Sequence, residues 1–253
     1  MPGELRIYVI FHKPFAFVPS QHIVQYQVGG HFTQDDEQFA PYIDAQGKHI
    51  GQYHPRIGEY AAYYQIGKNH QLPDYVGFMQ YRRYFLLAPQ CEGLATLHVE
   101  PSPQMLETLA SWLTPRRVAS VLSRHDIIVP TRYHCGAESL AAQMARCHGQ
   151  DVYDTFIESL LQAGETSALD WLENEHRFHL YNMFISRREV FMRYMQDAIK
   201  LLGILLALLP EVDHPYQKRR ITFCMERYFA YWIYRNKLRI YETQVCLLEP
   251  DAC

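Results

Sequence analysis

The chain contains 253 residues, and its 24 Lys and Arg against 27 Asp and Glu give a formal net charge of −3. This length allows a sizeable core but is short for two full-sized domains, so the sequence predicts one domain over residues 1–253. The near-neutral charge argues against duplex nucleic acid as a partner, and six cysteines without a CxxC pair indicate neither a zinc site nor a disulfide framework.

The first predicted strand is the short apolar run from Arg6 to Phe11, which is too brief for the core of a secretory signal. Together with free thiols, which suit a reducing compartment, this predicts a cytoplasmic protein. The strand leads directly to His12 and Lys13. Residues 27–58 lack periodicity and are rich in Gly, Asp and Gln, which predicts a long loop, and a helix is predicted from Glu59 to Lys68.

The segment from Asp74 to Phe85, DYVGFMQYRRYF, combines an apolar run with two adjacent arginines. Residues 75–79 are typical of a buried strand in a parallel sheet, and ligands of open α/β sheets lie beyond the carboxyl ends of the strands. Arg82 and Arg83 follow at that end. Guanidinium groups are always charged and bind phosphate oxygens through two parallel hydrogen bonds, so the pair predicts a diphosphate site. A surface arginine pair is the alternative.

The rest of the chain alternates between helical and strand patterns. This alternation predicts an α/β fold with a mostly parallel central sheet flanked by helices. A polar cluster at residues 131–135 follows one of the strands. Helices are predicted at 104–113, 116–124, 151–162, 168–173 and 221–234, one or two helices at 189–209, and strands at 126–129, 178–186 and 240–247.

The most apolar stretch runs from Ala198 to Pro210. It is shorter than the roughly 20 residues that a membrane-spanning helix needs. The stretch predicts either a buried core helix or a helix that lies on a membrane surface.

Several motifs occur in an order that resembles a known family. They are HKP, a Glu-headed helix with paired aromatics, DYVGFMQYRRYF, DIIVP, HLYNMFISRREVF and MERYFAYWI, and they extend from His12 to Val245. Together they resemble a bacterial family of capsular and O-antigen polysaccharide glycosyltransferases, long labelled only as a domain of unknown function. Members include an inverting galactofuranosyltransferase whose domain resembles the GT-A fold.

The resemblance implies a GT-A-like domain that transfers a sugar, with galactofuranose as one option. The implied donor is a nucleotide-diphosphate sugar, expected to be linked to UDP. The implied acceptor is a growing cell-surface polysaccharide or a lipid-linked glycan, which would place the protein at the inner face of the plasma membrane. The alternative function is a non-catalytic nucleotide- or glycan-binding module of a synthase assembly that retains the fold and the arginine site.

The chain departs from the family at one position of the arginine motif. The family has His-Tyr-Arg-Arg-Tyr-Phe where this chain begins with Gln80. Glutamine keeps the hydrogen bonding but cannot titrate, which argues against a proton-carrying role there. Metal-dependent GT-A enzymes carry an Asp-x-Asp pair at the corresponding strand end, whereas arginines supply positive charge themselves. The resemblance therefore implies transfer without a metal or other cofactor, and Asp35 and Asp36 in the long loop are interpreted as solvated.

An inverting transfer needs a base near the acceptor hydroxyl, and a carboxylate suits this role. Glu226 is the first choice because it lies near the start of a late helix, as the corresponding carboxylate does in many inverting GT-A enzymes. Arg227 beside it is expected to hold it ionised. The alternative is a helix-face Glu226 that only forms an ion pair with Arg220 or Arg227. Glu59 is the competing carboxylate.

Other residues are predicted to bind the substrates. Asn182 interrupts an apolar strand and is assigned to the donor sugar, with a buried, hydrogen-bonded amide as the alternative. His12 and Lys13 end the first strand, where GT-A-like folds receive the nucleotide, so the resemblance implies that they contact it, with a solvated strand end as the alternative. The other predicted donor-binding residues are Tyr81, Arg82 and Arg83, and the predicted acceptor-binding residues are Tyr133 and His134.

Overall fold

A mixed nine-stranded sheet organises the part of the chain that the computed structural model describes, residues 3–17, 20–29, 47–87 and 96–249. A separate two-stranded ribbon joins β7 (Tyr133–His134) to β8 (Arg177–Phe178). The strands of the sheet are β1 (Leu5–Phe11), β2 (Ile23–Gln27), β3 (Tyr75–Gln80), β4 (Arg83–Phe85), β5 (Thr96–Val99), β6 (Ile127–Pro130), β9 (Phe184–Arg187), β10 (Ile240–Thr243) and β11 (Val245–Leu248).

The strand order is β10-β6-β9-β3-β4-β11-β5, with β1 pairing to both β3 and β2. The pairs β1–β2, β1–β3, β6–β10 and β5–β11 are parallel, whereas β4 and β9 run antiparallel to both of their neighbours. The prediction of a mostly parallel sheet was therefore wrong. Strands that are buried on both faces carry continuous apolar runs, and such a run does not encode the direction of the neighbouring strand.

Helices cover both faces of the sheet, and some of them begin at a residue whose side chain caps the helix. Ser102 and Thr114 accept hydrogen bonds from the backbone N–H groups of Met105 (3.2 Å) and Arg117 (3.3 Å), and a proline opens each of the two helices that follow. The helices are α1 (His54–Ile57), α2 (Tyr60–Asn69), α3 (Pro103–Trp112), α4 (Pro115–Leu122), α5 (Leu140–His148), α6 (Gln150–Ala163), α7 (Ala168–Asn174), α8 (Arg188–Leu208) and α9 (Arg220–Arg235).

Most predicted helices are confirmed to within two residues, including α2, α3, α4, α6, α7 and α9. The segment at 189–209 forms the single helix α8. The sequence prediction missed α5, although Ser139 caps it by accepting a hydrogen bond from the N–H of Ala142 at 3.2 Å. It also missed β2, and most of the predicted long loop lies outside the described residues.

Two predicted strands are each divided in the structure. The strand expected at 178–186 is interrupted by a turn in which Tyr181 and Asn182 have φ of 76° and 53°. The final strand expected at 240–247 consists of β10, which pairs with β6, and β11, which lies between β4 and β5. The break occurs at Gln244, whose carbonyl accepts a hydrogen bond from Leu86 N–H at 3.0 Å.

The sheet is buried on both faces. In β1, Tyr8 and Ile10 belong to one hydrophobic cluster with residues of α2, α8 and α9, whereas Ile7 and Val9 belong to a second cluster with residues of α3 and α4. The apolar part of α8 contributes Leu201 and other buried leucines to the first cluster, which agrees with the buried-core interpretation. Within the described ranges, none of the helices combines the length and the apolar character needed to cross a bilayer.

Candidate functional site

A cavity of about 500 Å³ lies beyond the carboxyl ends of β1 and β3. These two strands are parallel, with Ile10 opposite Gln80 in the register, so the residues that follow each strand meet at one edge of the sheet. His12, from the end of β1, and Tyr81, from the end of β3, both line the cavity. The opposite wall contains Glu59 and the basic residues before α9.

Four basic side chains line this cavity: Arg82, Arg83, Lys218 and Arg219. The arginine pair follows β3, as the sequence predicted, and the Nε atoms of both arginines are buried and have no hydrogen-bond partner among the described residues. Lys218 and Arg219 belong to a 3₁₀ turn at Gln217–Arg219. Sequence reasoning missed this second pair, although the basic run that it begins could have indicated it.

Arg83 is held in place by two neighbours. Its Nη1 donates a hydrogen bond to Oε1 of Gln80 at 2.6 Å, and its guanidinium lies 4.4 Å from the ring centroid of Tyr181. Gln80 in turn donates from Nε2 to the carbonyl of Tyr181 at 2.8 Å. Gln80 therefore uses both ends of its amide, one as acceptor and one as donor.

Glu59 immediately precedes α2, and its Oε1 accepts a 2.6 Å hydrogen bond from Nδ2 of Asn182. Burial raises the pKa of Glu59, and this effect outweighs the opposing effects of the Asn182 hydrogen bond and of Arg219 and Arg83. Asn182 is only 1% exposed, and its Oδ1 accepts a hydrogen bond from the hydroxyl of Tyr60 at 3.1 Å. Asn182 is therefore a buried, hydrogen-bonded amide, which was the alternative to a sugar-binding role in the sequence analysis.

Glu226 lies in the second turn of α9, where its side chain is 16% exposed. Its Oε1 accepts a hydrogen bond from the backbone N–H of Tyr181 at 2.9 Å. Burial, with a smaller contribution from the charge of Glu59, raises the pKa of Glu226 to about 7 against the opposing effect of Arg227. Arg227 favours the ionised form of Glu226, as expected, but the cost of burying the charge exceeds the attraction across 4.0 Å.

Arg220 and Arg227 have other partners. Arg227 donates to the carbonyl of Phe223 at 2.7 Å, and Arg220 donates to the carbonyl of Pro210 at 2.6 Å. Arg227 nevertheless lies 4.0 Å from Glu226, at ion-pair distance, so the alternative of a helix ion pair is retained for Arg227.

The remaining residues that the sequence predicted to bind the donor lie around Tyr81. Its ring lies 4.9 Å from that of His12, 5.5 Å from the guanidinium of Arg82 and 5.9 Å from Nζ of Lys13. Partial burial and the nearby charges of Arg219, Lys13 and Arg82 lower the pKa of His12 to about 4. The imidazole of His12 is therefore neutral at physiological pH and offers one hydrogen-bond donor and one acceptor.

The structure does not bring the predicted acceptor residues into this cavity. Tyr133 and His134 are exposed on the ribbon formed by β7 and β8, and neither belongs to the lining of the cavity. Asp35 and Asp36 lie outside the described residues. Among the described residues, no group of three or more His, Cys, Asp or Glu side chains is arranged to hold a metal ion.

The fold is similar to that of a solved enzyme structure. The WbbM bifunctional glycosyltransferase, in its apo form, superimposes with a TM-score of 0.84 and 23% sequence identity. The alignment covers 97% of this chain and 45% of WbbM, so the chain spans less than half of that protein. At this identity the likeness establishes a shared mixed α/β fold. A comparison with curated protein sequences gave no significant match.

A family model also matches most of the chain. It is described as a domain of unknown function, DUF4422, and it matches residues 6–237. The match includes the ends of β1 and β3, Glu59, Asn182, Glu226 and the basic 3₁₀ turn. Because it covers most of the chain, including the whole lining of the cavity, the chain belongs to the DUF4422 family.

Proposed function

We propose that this protein is a glycosyltransferase that takes a sugar from a nucleoside diphosphate donor and passes it to a glycan acceptor. One observation carries the proposal: four basic side chains converge on a cavity whose wall also contains the carboxylate of Glu59. Cations suit the diphosphate, and a carboxylate suits the hydroxyl that attacks the sugar. The fold shared with a glycosyltransferase supports the proposal, and the resemblance described above extends it to a GT-A-like enzyme.

The basic side chains suit the leaving group. Transfer breaks the bond between the sugar and the diphosphate, so negative charge develops on a phosphate oxygen. Guanidinium groups that are already in place stabilise this charge without the cost of reorganisation. Arg82 and Arg83 are partly exposed and line the cavity, so guanidinium N–H groups are available to donate to phosphate oxygens. Since these side chains supply the charge that a divalent cation would otherwise supply, we expect transfer to be independent of metal.

The paired carboxylates suit the attacking hydroxyl. Inverting transfer needs one ionised carboxylate to accept the proton of the acceptor hydroxyl. The negative charge of Glu59 raises the pKa of Glu226, because two carboxylates repel each other when both are ionised. The two residues together therefore retain one proton more readily than two isolated carboxyl groups would. Glu59 lines the cavity and is therefore assigned the contact with the acceptor hydroxyl. Glu226, the first choice from sequence, is retained as the alternative base.

The finer identity of the substrates rests on the family resemblance. It supports a UDP-linked donor, with galactofuranose as one sugar, and a polysaccharide or lipid-linked glycan acceptor at the inner face of the plasma membrane. Tyr133 and His134 are exposed and away from the cavity, so any contact they make is with a more distant part of the acceptor.

The direct test is acceptor-dependent release of nucleoside diphosphate from a panel of nucleotide sugars. We expect release with at least one donor and its loss in the Arg82→Ala/Arg83→Ala double variant. Arg124→Ala is the matched control, because Arg124 is exposed and lies outside the cavity. Nucleotide binding without turnover for every donor would instead support the non-catalytic binding module.

A further inference from the structure

Two consecutive residues with left-handed backbone conformation lie between β8 and β9. Tyr181 has φ of 76° and Asn182 has φ of 53°. Asparagine adopts this conformation readily, but tyrosine does so rarely, because its Cβ crowds the backbone. Such a conformation persists only where the surroundings hold it, and it is found most often at functional sites.

Tyr181 is held by groups of the proposed site. Its carbonyl accepts a hydrogen bond from Gln80 at 2.8 Å, its N–H donates to Glu226 at 2.9 Å, and its ring lies under Arg83 at 4.4 Å. The backbone and ring of one residue thus contact the strand end that carries the arginines and the helix that carries Glu226.

Asn182 connects the same turn to Glu59. Its Nδ2 donates to Oε1 of Glu59 at 2.6 Å, and its backbone carbonyl accepts a hydrogen bond from the hydroxyl of Tyr63 at 2.5 Å. Its Oδ1 accepts from Tyr60, whose hydroxyl is also 2.5 Å from that of Tyr194. Both ends of the Asn182 side-chain amide are therefore hydrogen-bonded, and these bonds fix the orientation of the side chain.

We propose that the turn at Tyr181 and Asn182 is the positioning element that fixes both carboxylates relative to Arg83, and that Asn182 is a positioning residue rather than a sugar-binding one. The inference rests on the proposed function, since it assigns to this turn the alignment of the base with the diphosphate site. If the turn shifted, Glu59, Glu226 and Arg83 would each lose a contact.

The Asn182→Gly variant separates the side chain from the backbone. Glycine adopts positive φ without strain, so the turn and its bond to Glu226 are retained while the amide is lost. The hydrogen bond from Asn182 favours the charged form of Glu59. Its removal is therefore expected to raise the pKa of Glu59 further. The charged and titratable groups that face the two carboxylates are Arg83, Arg219, Arg227, Tyr60, Tyr63 and Tyr194, and none of them is altered by the substitution.

The experiment is a carbon-13 NMR titration of glutamate carboxyls in the protein without nucleotide, with signals assigned through Glu59→Gln and Glu226→Gln. The expected result is a raised pKa for Glu59 in Asn182→Gly and in Asn182→Asp, which cannot donate when ionised, with no change in Asn236→Gly. Asn236 donates to the carbonyl of Trp232 at 2.8 Å, outside the cavity. Identical titration of Glu59 in Asn182→Gly and in the unaltered protein would overturn the inference.

Turnover gives a second measurement. In Asn182→Gly the acidic limb of kcat/KM is expected to move to higher pH by the same shift, with kcat reduced about tenfold and UDP affinity changed far less. A loss of UDP affinity equal to the loss of kcat would show that Asn182 binds the donor, and would also overturn the inference. Absence of turnover in the unaltered protein would contradict the proposed function alone, because the NMR titration needs no substrate.

Discussion

The guanidinium of Arg83 lies over the ring of Tyr181, with 4.4 Å between the guanidinium carbon and the ring centroid. With the hydrogen bond to Gln80 at 2.6 Å, this contact fixes a long side chain before any anion arrives. A side chain that is already ordered loses less conformational entropy when it binds, so more of the interaction energy contributes to affinity. The planar guanidinium is required for both contacts.

The first prediction concerns the arginine pair. Arg82→Ala and Arg83→Ala are each expected to weaken UDP binding about ten- to a hundredfold, because hydrogen bonds to charged groups contribute about 1.5–3 kcal/mol. Arg83→Lys should recover only part of this affinity, since an ammonium group cannot stack on Tyr181 in the same way. Isothermal titration calorimetry checks the prediction with Arg124→Ala as the control. Unchanged affinity in both alanine variants would contradict it.

The second prediction separates the two carboxylates. Glu59→Gln keeps the acceptor for Asn182 but cannot take a proton, so turnover should fall about 10²-fold or more while UDP still binds. Glu226→Gln should reduce turnover less, because this residue does not belong to the lining of the cavity. The measurement is acceptor-dependent release of nucleoside diphosphate. A greater loss in Glu226→Gln than in Glu59→Gln would move the base to Glu226.

The third prediction is a stability change with pH that originates at Glu226. Burial raises the pKa of Glu226 from 4.5 to about 7. The folded state therefore keeps this proton over a range in which the unfolded state has released it, and the contribution to stability is complete below pH 4.5 and lost as the pH rises through 7. The loss amounts to about 3 kcal/mol.

Glu226→Gln removes this titration. As the pH rises from 4.5 to 7, the free energy of unfolding of the unaltered protein should therefore fall relative to that of Glu226→Gln. Urea unfolding at several pH values measures the difference. A constant difference across this range would show that Glu226 titrates normally.

The fourth prediction concerns divalent cations. Exhaustive treatment with EDTA should leave acceptor-dependent turnover largely unchanged, and added Mn²⁺ should give no steep activation, because Arg82, Arg83, Lys218 and Arg219 supply the positive charge. Activity that EDTA abolishes and that Mg²⁺ or Mn²⁺ restores would contradict this prediction and point to carboxylates outside the described residues, such as Asp35 and Asp36.

The arginine site could be predicted because its determinants are local in sequence. The two arginines follow β3 directly in the sequence, and the apolar run that forms β3 shows where the strand ends. The contact of Glu59 with Asn182 joins residues 123 positions apart, and no local pattern encodes it. The turn at Tyr181 is equally hidden, because the surrounding residues are apolar and typical of a continuous strand. The strand predicted at 178–186 was therefore too long, and β9, which follows the turn, runs antiparallel to both of its neighbours.

The basic side chains of the cavity come from two separate parts of the fold, the β3–β4 turn and the 3₁₀ turn before α9. The positive charges of the two turns repel each other, and this repulsion opposes the packing of the two turns against each other. The site is therefore expected to lower the stability of the protein at low ionic strength. Salt, which screens this repulsion, should raise Tm even without a specific ligand, and neutralising Lys218 by substitution should do the same.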